Sequence, residues 1–166
     1  MQKVALIVAG GKGERMNADI PKQFLLLNGT PILMHTLKQF SHFEEIVLVL
    51  PSIQFDYWHS LCNTYNFTLK HTLAAGGKTR FHSVKNGLEK VNANSIVAIH
   101  DGVRPLASTS LINRLISQIK DGIGIIPIVP VKDSIRKVDG ENSTHIDRSK
   151  LYNVQTPQCF FSSDIK

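Results

Sequence analysis

Short, continuous apolar runs recur along this chain, with room for one helix between each pair. Val4 to Ala9 is the first, "EEIVLVLP" ending at Pro51 the second and "SIVAIHDG" from Ser95 the fourth; between them "FTLKHTLA" from Phe67, mixed rather than continuously apolar, reads as a third strand. A fifth, "GIGIIPIVPV", is interrupted by prolines. Runs this short and rich in Val and Ile read as strands buried on both faces of a parallel sheet. The intervening segments carry helical spacing instead. Pro31 suits the first position of a helix from Ile32 to Phe40. "QFDYWHSLCNTY" reads as a second helix, with Phe55, Tyr57 and Trp58 as core residues. "RFHSVKNGLEKV" places Phe81, Val84, Leu88 and Val91 on one face, and "TSLINRLISQIKDG" is amphipathic up to Gly122. Alternating strands and helices predict a Rossmann-like α/β fold, a mostly parallel sheet with helices on both faces. Its crossovers should be right-handed, and ligands should bind beyond the C-terminal ends of the strands.

The pattern changes after Lys132. "KDSIRKVDGENSTHIDRS" is polar, with a turn signal at Asp139 and Gly140, and predicts a hairpin projecting from the sheet over about 132–150. A two-stranded arm is marginal alone and needs a surface to pack on. A second subunit, giving a homodimer through the arm, is the expected support. Otherwise the 166 residues read as a single domain.

A composition of 42% hydrophobic and 19% charged residues excludes disorder. The net charge of +6 favours an anionic partner. Its Lys and Arg residues are scattered, which points to a phosphorylated small molecule rather than to nucleic acid. Cys62 and Cys159 form neither a disulfide framework nor a zinc motif. His35, His42, His59, His71, His82 and His145 have no metal-ligand spacing, and His100 reads as a structural strand-end residue. With no apolar stretch long enough for a membrane span, a cytoplasmic protein is expected.

The candidate chemistry lies in "ALIVAGGKGERMNADIPKQF". Gly10, Gly11 and Gly13 follow the first strand, where successive N–H groups can form an anion-binding turn. The dinucleotide fingerprint fails because Met16 stands where its third glycine belongs. The P-loop pattern fails because Thr72 stands where the first glycine should precede Gly77-Lys78-Thr79. There remain Arg15, a fork for phosphate oxygens, and Lys22, a compact point charge. Two cations meeting on one phosphorus would stabilise charge that builds there during displacement.

"VAGGKGERM…PKQF", "GGKTRFHSVKNGL", "HDGVRP" and "QTPQCF", in this order, resemble the 2-C-methyl-D-erythritol 4-phosphate cytidylyltransferase family, within the sugar- and polyol-phosphate nucleotidyltransferases. The resemblance implies transfer of CMP from CTP to the polyol phosphate, with release of pyrophosphate and a need for Mg²⁺, in non-mevalonate isoprenoid synthesis. It implies that Arg15 and Lys22 are catalytic and that the backbone of Ala9 to Gly13 wraps the triphosphate. Gly76, Gly77 and Ser83 would recognise cytosine, and Asp101 would lie near the ribose and the metal, oriented by Arg104. Ser134 and Arg148 would meet the second substrate's phosphate on an arm shared between subunits. Arg136 and Lys137 read as solvated arm charges. The resemblance also implies a further C-terminal segment with an acidic residue and a lysine that this sequence, ending at Lys166, does not contain. Nucleotide binding with weak catalysis is the corresponding expectation. The alternatives are a ribitol-5-phosphate cytidylyltransferase and a non-catalytic CTP-binding or dimerisation module.

Overall fold

Val4, Ala5, Leu6 and Ile7 are wholly excluded from solvent, which is why the N-terminal run becomes a central strand rather than an edge. The computed structural model describes residues 1–10 and 20–166. In chain order it contains β1 (Gln2–Val8), a small hairpin of β2 (Leu26–Leu27) and β3 (Thr30–Pro31), α1 (Ile32–Gln39), β4 (Glu45–Leu50), α2 (Phe55–Thr64), β5 (Thr72–Ala75), α3 (Arg80–Leu88) and β6 (Ser95–Asp101). Then follow α4 (Thr109–Ile116), β7 (Ile128–Pro130), β8 (Ile135–Asp139), β9 (Asn142–Ile146), β10 (Tyr152–Val154), β11 (Gln158–Phe161) and α5 (Ser162–Ile165).

The main sheet runs β11-β6-β1-β4-β5. β1 lies parallel to both β4 and β6, and β4 parallel to β5; β11 closes the β6 edge antiparallel. Side chains alternate between two cores, as the period of a strand requires. Ala5, Ile7, Leu48 and Leu50 face Leu33, Met34 and Leu37 of α1, Trp58 of α2, and Ile112 and Leu115 of α4. Val4, Leu6, Val47 and Val49 face Leu88 of α3 and Val91. The expected Rossmann-like sheet, covered on both faces, is therefore present. Successive parallel strands go to one side of β1 and then, with β6, to the other. The crevice between the ends of β1 and β6 is thus the topological switch point, the place where sheets of this kind hold ligands.

Several expected boundaries move. β5 starts only at Thr72, because Phe67 and Leu69 pack beside Trp58 instead of entering the sheet. α4 stops at Ile116; Lys120 and Ile123 then close a turn with Gly122 at φ +67°. Phe81 is 71% exposed, so the buried stripe of α3 begins at Val84. Tyr57 is 43% exposed, whereas Trp58 is fully buried. Pro31 sits one position before α1. The proline-rich fifth run touches the main sheet only at an isolated bridge, where Ile125 and Cys159 of β11 exchange two backbone bonds of 2.8 Å. Only Ile128–Pro130 is extended, and it pairs with β10 because β11 occupies the place beside β6.

The β7–β10 ribbon forms the stem of the arm. Beyond it, β8 and β9 pair from Ile135↔Ile146 to Asp139↔Asn142. The loop residues are Gly140 and Glu141, one step later than the turn signal suggested. Gly140 takes φ +58°, as a glycine at the first position of a two-residue hairpin loop can. Among the described residues no helix is long and apolar enough to cross a membrane.

Candidate active site

Each strand end around the crevice is pinned by one backbone bond to its neighbour. Ala9 N–H donates to Val49 O at 2.9 Å, Gly102 N–H to Val8 O at 2.8 Å, and Gly76 N–H to Leu50 O at 2.8 Å. Ala9 and Gly10, Gly76 and Gly77, and Asp101 and Gly102 thereby become neighbouring segments at the C-terminal edge of the sheet. Gly102 must be small: a Cβ there would lie 2.7 Å from that of Ala9. Its carbonyl accepts from Thr36 Oγ1 of α1 at 2.8 Å.

Ser83 links two of these segments. It lies in the first turn of α3 and is almost wholly buried; its Oγ accepts the Gly77 N–H at 3.0 Å. A Cβ on Gly10 would meet the same oxygen at 3.4 Å. Ser83 thus stands between Gly10, after β1, and Gly77, after β5. Thr79 caps α3, its hydroxyl accepting the His82 N–H.

Asp101 is held by two guanidinium groups. Arg104 Nε donates to Oδ2 at 2.9 Å and Arg80 Nη2 to Oδ1 at 3.2 Å. The ion pair expected between Arg104 and Asp101 is present, and Arg104 also donates to Gln155 Oε1. Arg80 is a site residue that the sequence reading missed. Its signal lay in "GGKTRFHS": it stands three residues before Ser83, so one helical turn brings both to the same end of α3.

His100 is structural, as expected. It is fully buried, with one ring nitrogen on Arg104 O and the other on Thr156 Oγ1, both at 2.9 Å. Burial is the main reason its pKa lies below the ordinary value; the bond to Arg104 O works the other way. Thr156 also receives the Asp101 N–H at 3.3 Å, so the "QTP" segment braces the Asp101 strand end. Burial likewise pushes the Cys159 thiol up to about 12, which removes it as a nucleophile at neutral pH.

Lys22 opens a single helical turn, Lys22–Phe24, and is exposed. Beside it Gln23 is 2% exposed, its amide donating to Ala9 O at 3.1 Å and to Gln54 Oε1 at 3.0 Å. Gly11, Gly13 and Arg15 lie outside the described residues. Ser134 and Arg148 flank the base of the arm, where Arg148 donates to Lys132 O. Among the described residues neither makes a hydrogen bond to Asp101, Ser83 or the glycine segments.

Among the described residues no three His, Cys, Asp or Glu side chains cluster as metal ligands. Asp101 remains the one carboxylate in the crevice as described. Each of its oxygens takes guanidinium contacts on one side and keeps acceptor capacity on the other. That donor set fits Mg²⁺, which needs few protein ligands when phosphates and water supply the rest. A cleft of about 740 Å³ lies elsewhere, between α4 and the β7–β10 stem, and meets the site only through His100, Arg104, Gln155 and Thr156.

A family model described as IspD, 2-C-methyl-D-erythritol 4-phosphate cytidylyltransferase, matches residues 3–166. A protein of that name from Azobacteroides pseudotrichonymphae is 49% identical over 97% of this chain and 74% of its own length. Its namesake from Bacteroides fragilis is 46% identical over 100% of this chain and 77% of its own. The crystal structure of the enzyme of that name from Thermus thermophilus superposes with a TM-score of 0.77 at 29% identity, covering 98% of this chain and 72% of that one.

Proposed function

Because this chain belongs to the 2-C-methyl-D-erythritol 4-phosphate cytidylyltransferase family, we propose that it transfers CMP from CTP to that polyol phosphate. A substrate phosphate oxygen forms a bond to the α-phosphorus of CTP. The bond from that phosphorus to the bridging oxygen breaks, and its electron pair leaves with pyrophosphate. No covalent enzyme intermediate is needed, so catalysis is positioning and charge stabilisation.

The observation that carries this reading is the convergence of two glycine segments, the Ser83 hydroxyl and the Asp101 carboxylate at the switch point of the sheet. In it, the backbone of Ala9, Gly10, Gly11 and Gly13 takes the triphosphate. The segment Gly76–Gly77 with Ser83 reads the cytosine edge. Arg15 and Lys22 neutralise the charge that grows at the α-phosphorus. Mg²⁺ would be held by Asp101 and by phosphate oxygens, and would offset triphosphate charge. Ser134 and Arg148 receive the polyol phosphate, with the arm shared between the two subunits of a cytoplasmic homodimer. Val138, 71% exposed on the arm, gives such a partner apolar surface to cover.

Pyrophosphate release from CTP is the test, with methylerythritol phosphate and ribitol 5-phosphate offered separately. Faster release with the methylerythritol substrate is expected. Preference for ribitol phosphate would reassign the acceptor. CTP binding by calorimetry without turnover of either would make the chain a nucleotide-binding module.

A further inference from the structure

The amide of Gln23 ties the end of β1 to the Lys22 turn. It is 2% exposed, and both hydrogens of Nε2 are used: one on Ala9 O, where the nucleotide turn begins, one on Gln54 Oε1. Gln54 ends a helical turn that follows β4, and its own N–H is bonded to Pro51 O at 2.9 Å. One side chain therefore joins three segments: the end of β1, the Lys22 turn and the entry to α2. The Lys22 turn is itself a fixed unit. Pro21 holds φ at −54°, Phe24 N–H donates to Pro21 O and Leu25 N–H to Lys22 O. Phe24 then packs against Tyr57 and Trp58. Packing by Phe24 alone would be served by any apolar residue at position 23. A buried amide with both donors satisfied instead fixes register, because losing a partner leaves a polar group stranded.

We propose that Gln23 is a positioning residue that holds Lys22 in line with the start of the nucleotide turn. This rests on the role given to Lys22 above. Gln23→Met keeps the volume and removes both donors, and a cycle with Lys22→Ala tests the coupling in the full chain. Gln23→Met should lower kcat about tenfold or more, as small misplacements of a charged group do, with a lesser change in KM for CTP. In the Lys22→Ala background the same substitution should lower kcat less than about twofold further, because there is no ammonium left to misplace. Losses that multiply in the double variant would mean a general packing role and overturn the proposal. If CTP binds without turnover, the same cycle is read in its affinity.

Amide hydrogen exchange at Phe24 and Leu25 gives an independent readout without substrate. Faster exchange in Gln23→Met is expected, and unchanged exchange overturns the proposal even if the chain proves inactive. Inactivity of the parent would count against the enzymatic reading alone. Should Gln23→Met fold poorly, Gln54→Leu removes one acceptor only. A smaller effect, coupled to Lys22 in the same way, is expected there, and an uncoupled one overturns the proposal.

Discussion

Gly87 lies within α3 with its Cα against the sheet. A Cβ there would come within 2.4 Å of Leu6 Cδ1 and 2.8 Å of Val49 Cγ2. Gly87→Ala sets a gain in helix propensity of about 1 kcal/mol against overpacking of about 1–3 kcal/mol. Both neighbours are core side chains with no exit to solvent, so the overpacking should win. Thermal denaturation should show a lower Tm. CTP affinity should fall too, because α3 carries Ser83 and Arg80; an unchanged or higher Tm would refute the close packing. Single-residue roles were unevenly legible. Ser83 and Asp101 stand in recognisable motifs, but Arg80 gains meaning only when its guanidinium reaches a carboxylate twenty-one residues away in sequence.

Between α2 and β5 a half-buried histidine has a defined task. His71 accepts the indole N–H of Trp58 at 2.8 Å and holds Leu69 O with its other nitrogen at 2.7 Å. Burial is the main reason its pKa lies below the ordinary 6.5; the bond to Leu69 opposes the shift and the nearby His59 adds to it. The folded state then binds fewer protons than the unfolded chain just below pH 6.5. The corresponding stability is complete above that pH and is lost as the pH falls beneath it. His100 contributes with the same sign. Tm should therefore drop between about pH 6.5 and pH 5, and Trp58, the sole tryptophan, should report the change in its emission. A flat Tm across that range would contradict the assignment. The same contacts explain why the strand expected from Phe67 begins late: His71 already satisfies the Leu69 carbonyl, and Phe67 packs edge-on to Trp58.

For the molecule as a whole, ligand linkage offers the broadest check. CTP that binds only the folded state should stabilise it by about 2.7 kcal/mol at a hundredfold excess over Kd. In a chain of this size that corresponds to a Tm rise of about 5–10 °C. ATP at the same concentration should give a much smaller rise if, as proposed, the Gly76–Gly77 and Ser83 segment reads the cytosine edge. Equal shifts with both nucleotides would assign the binding to the triphosphate and the net charge of +6 alone.

Hydrophobic periodicity by itself determined the α/β class, the parallel strands and the end of the sheet where ligands belong. These follow from local rules: Val/Ile runs must be buried on both faces, and helical stripes must cover them. The glycines beside two cations marked Lys22 as a candidate, and the resemblance of the later motifs to a known family marked Asp101 and Ser83. Tertiary structure alone decided the rest. It clamped Asp101 between Arg80 and Arg104, set the Ser83 hydroxyl between Gly10 and Gly77, and bonded the Gln23 amide to the end of β1 beside Lys22. It also gave the sheet edge to β11 and left the proline-rich run as the stem of the arm. Contacts of that kind join residues distant in sequence. Their partners are chosen by strand order and packing geometry, which no local pattern encodes.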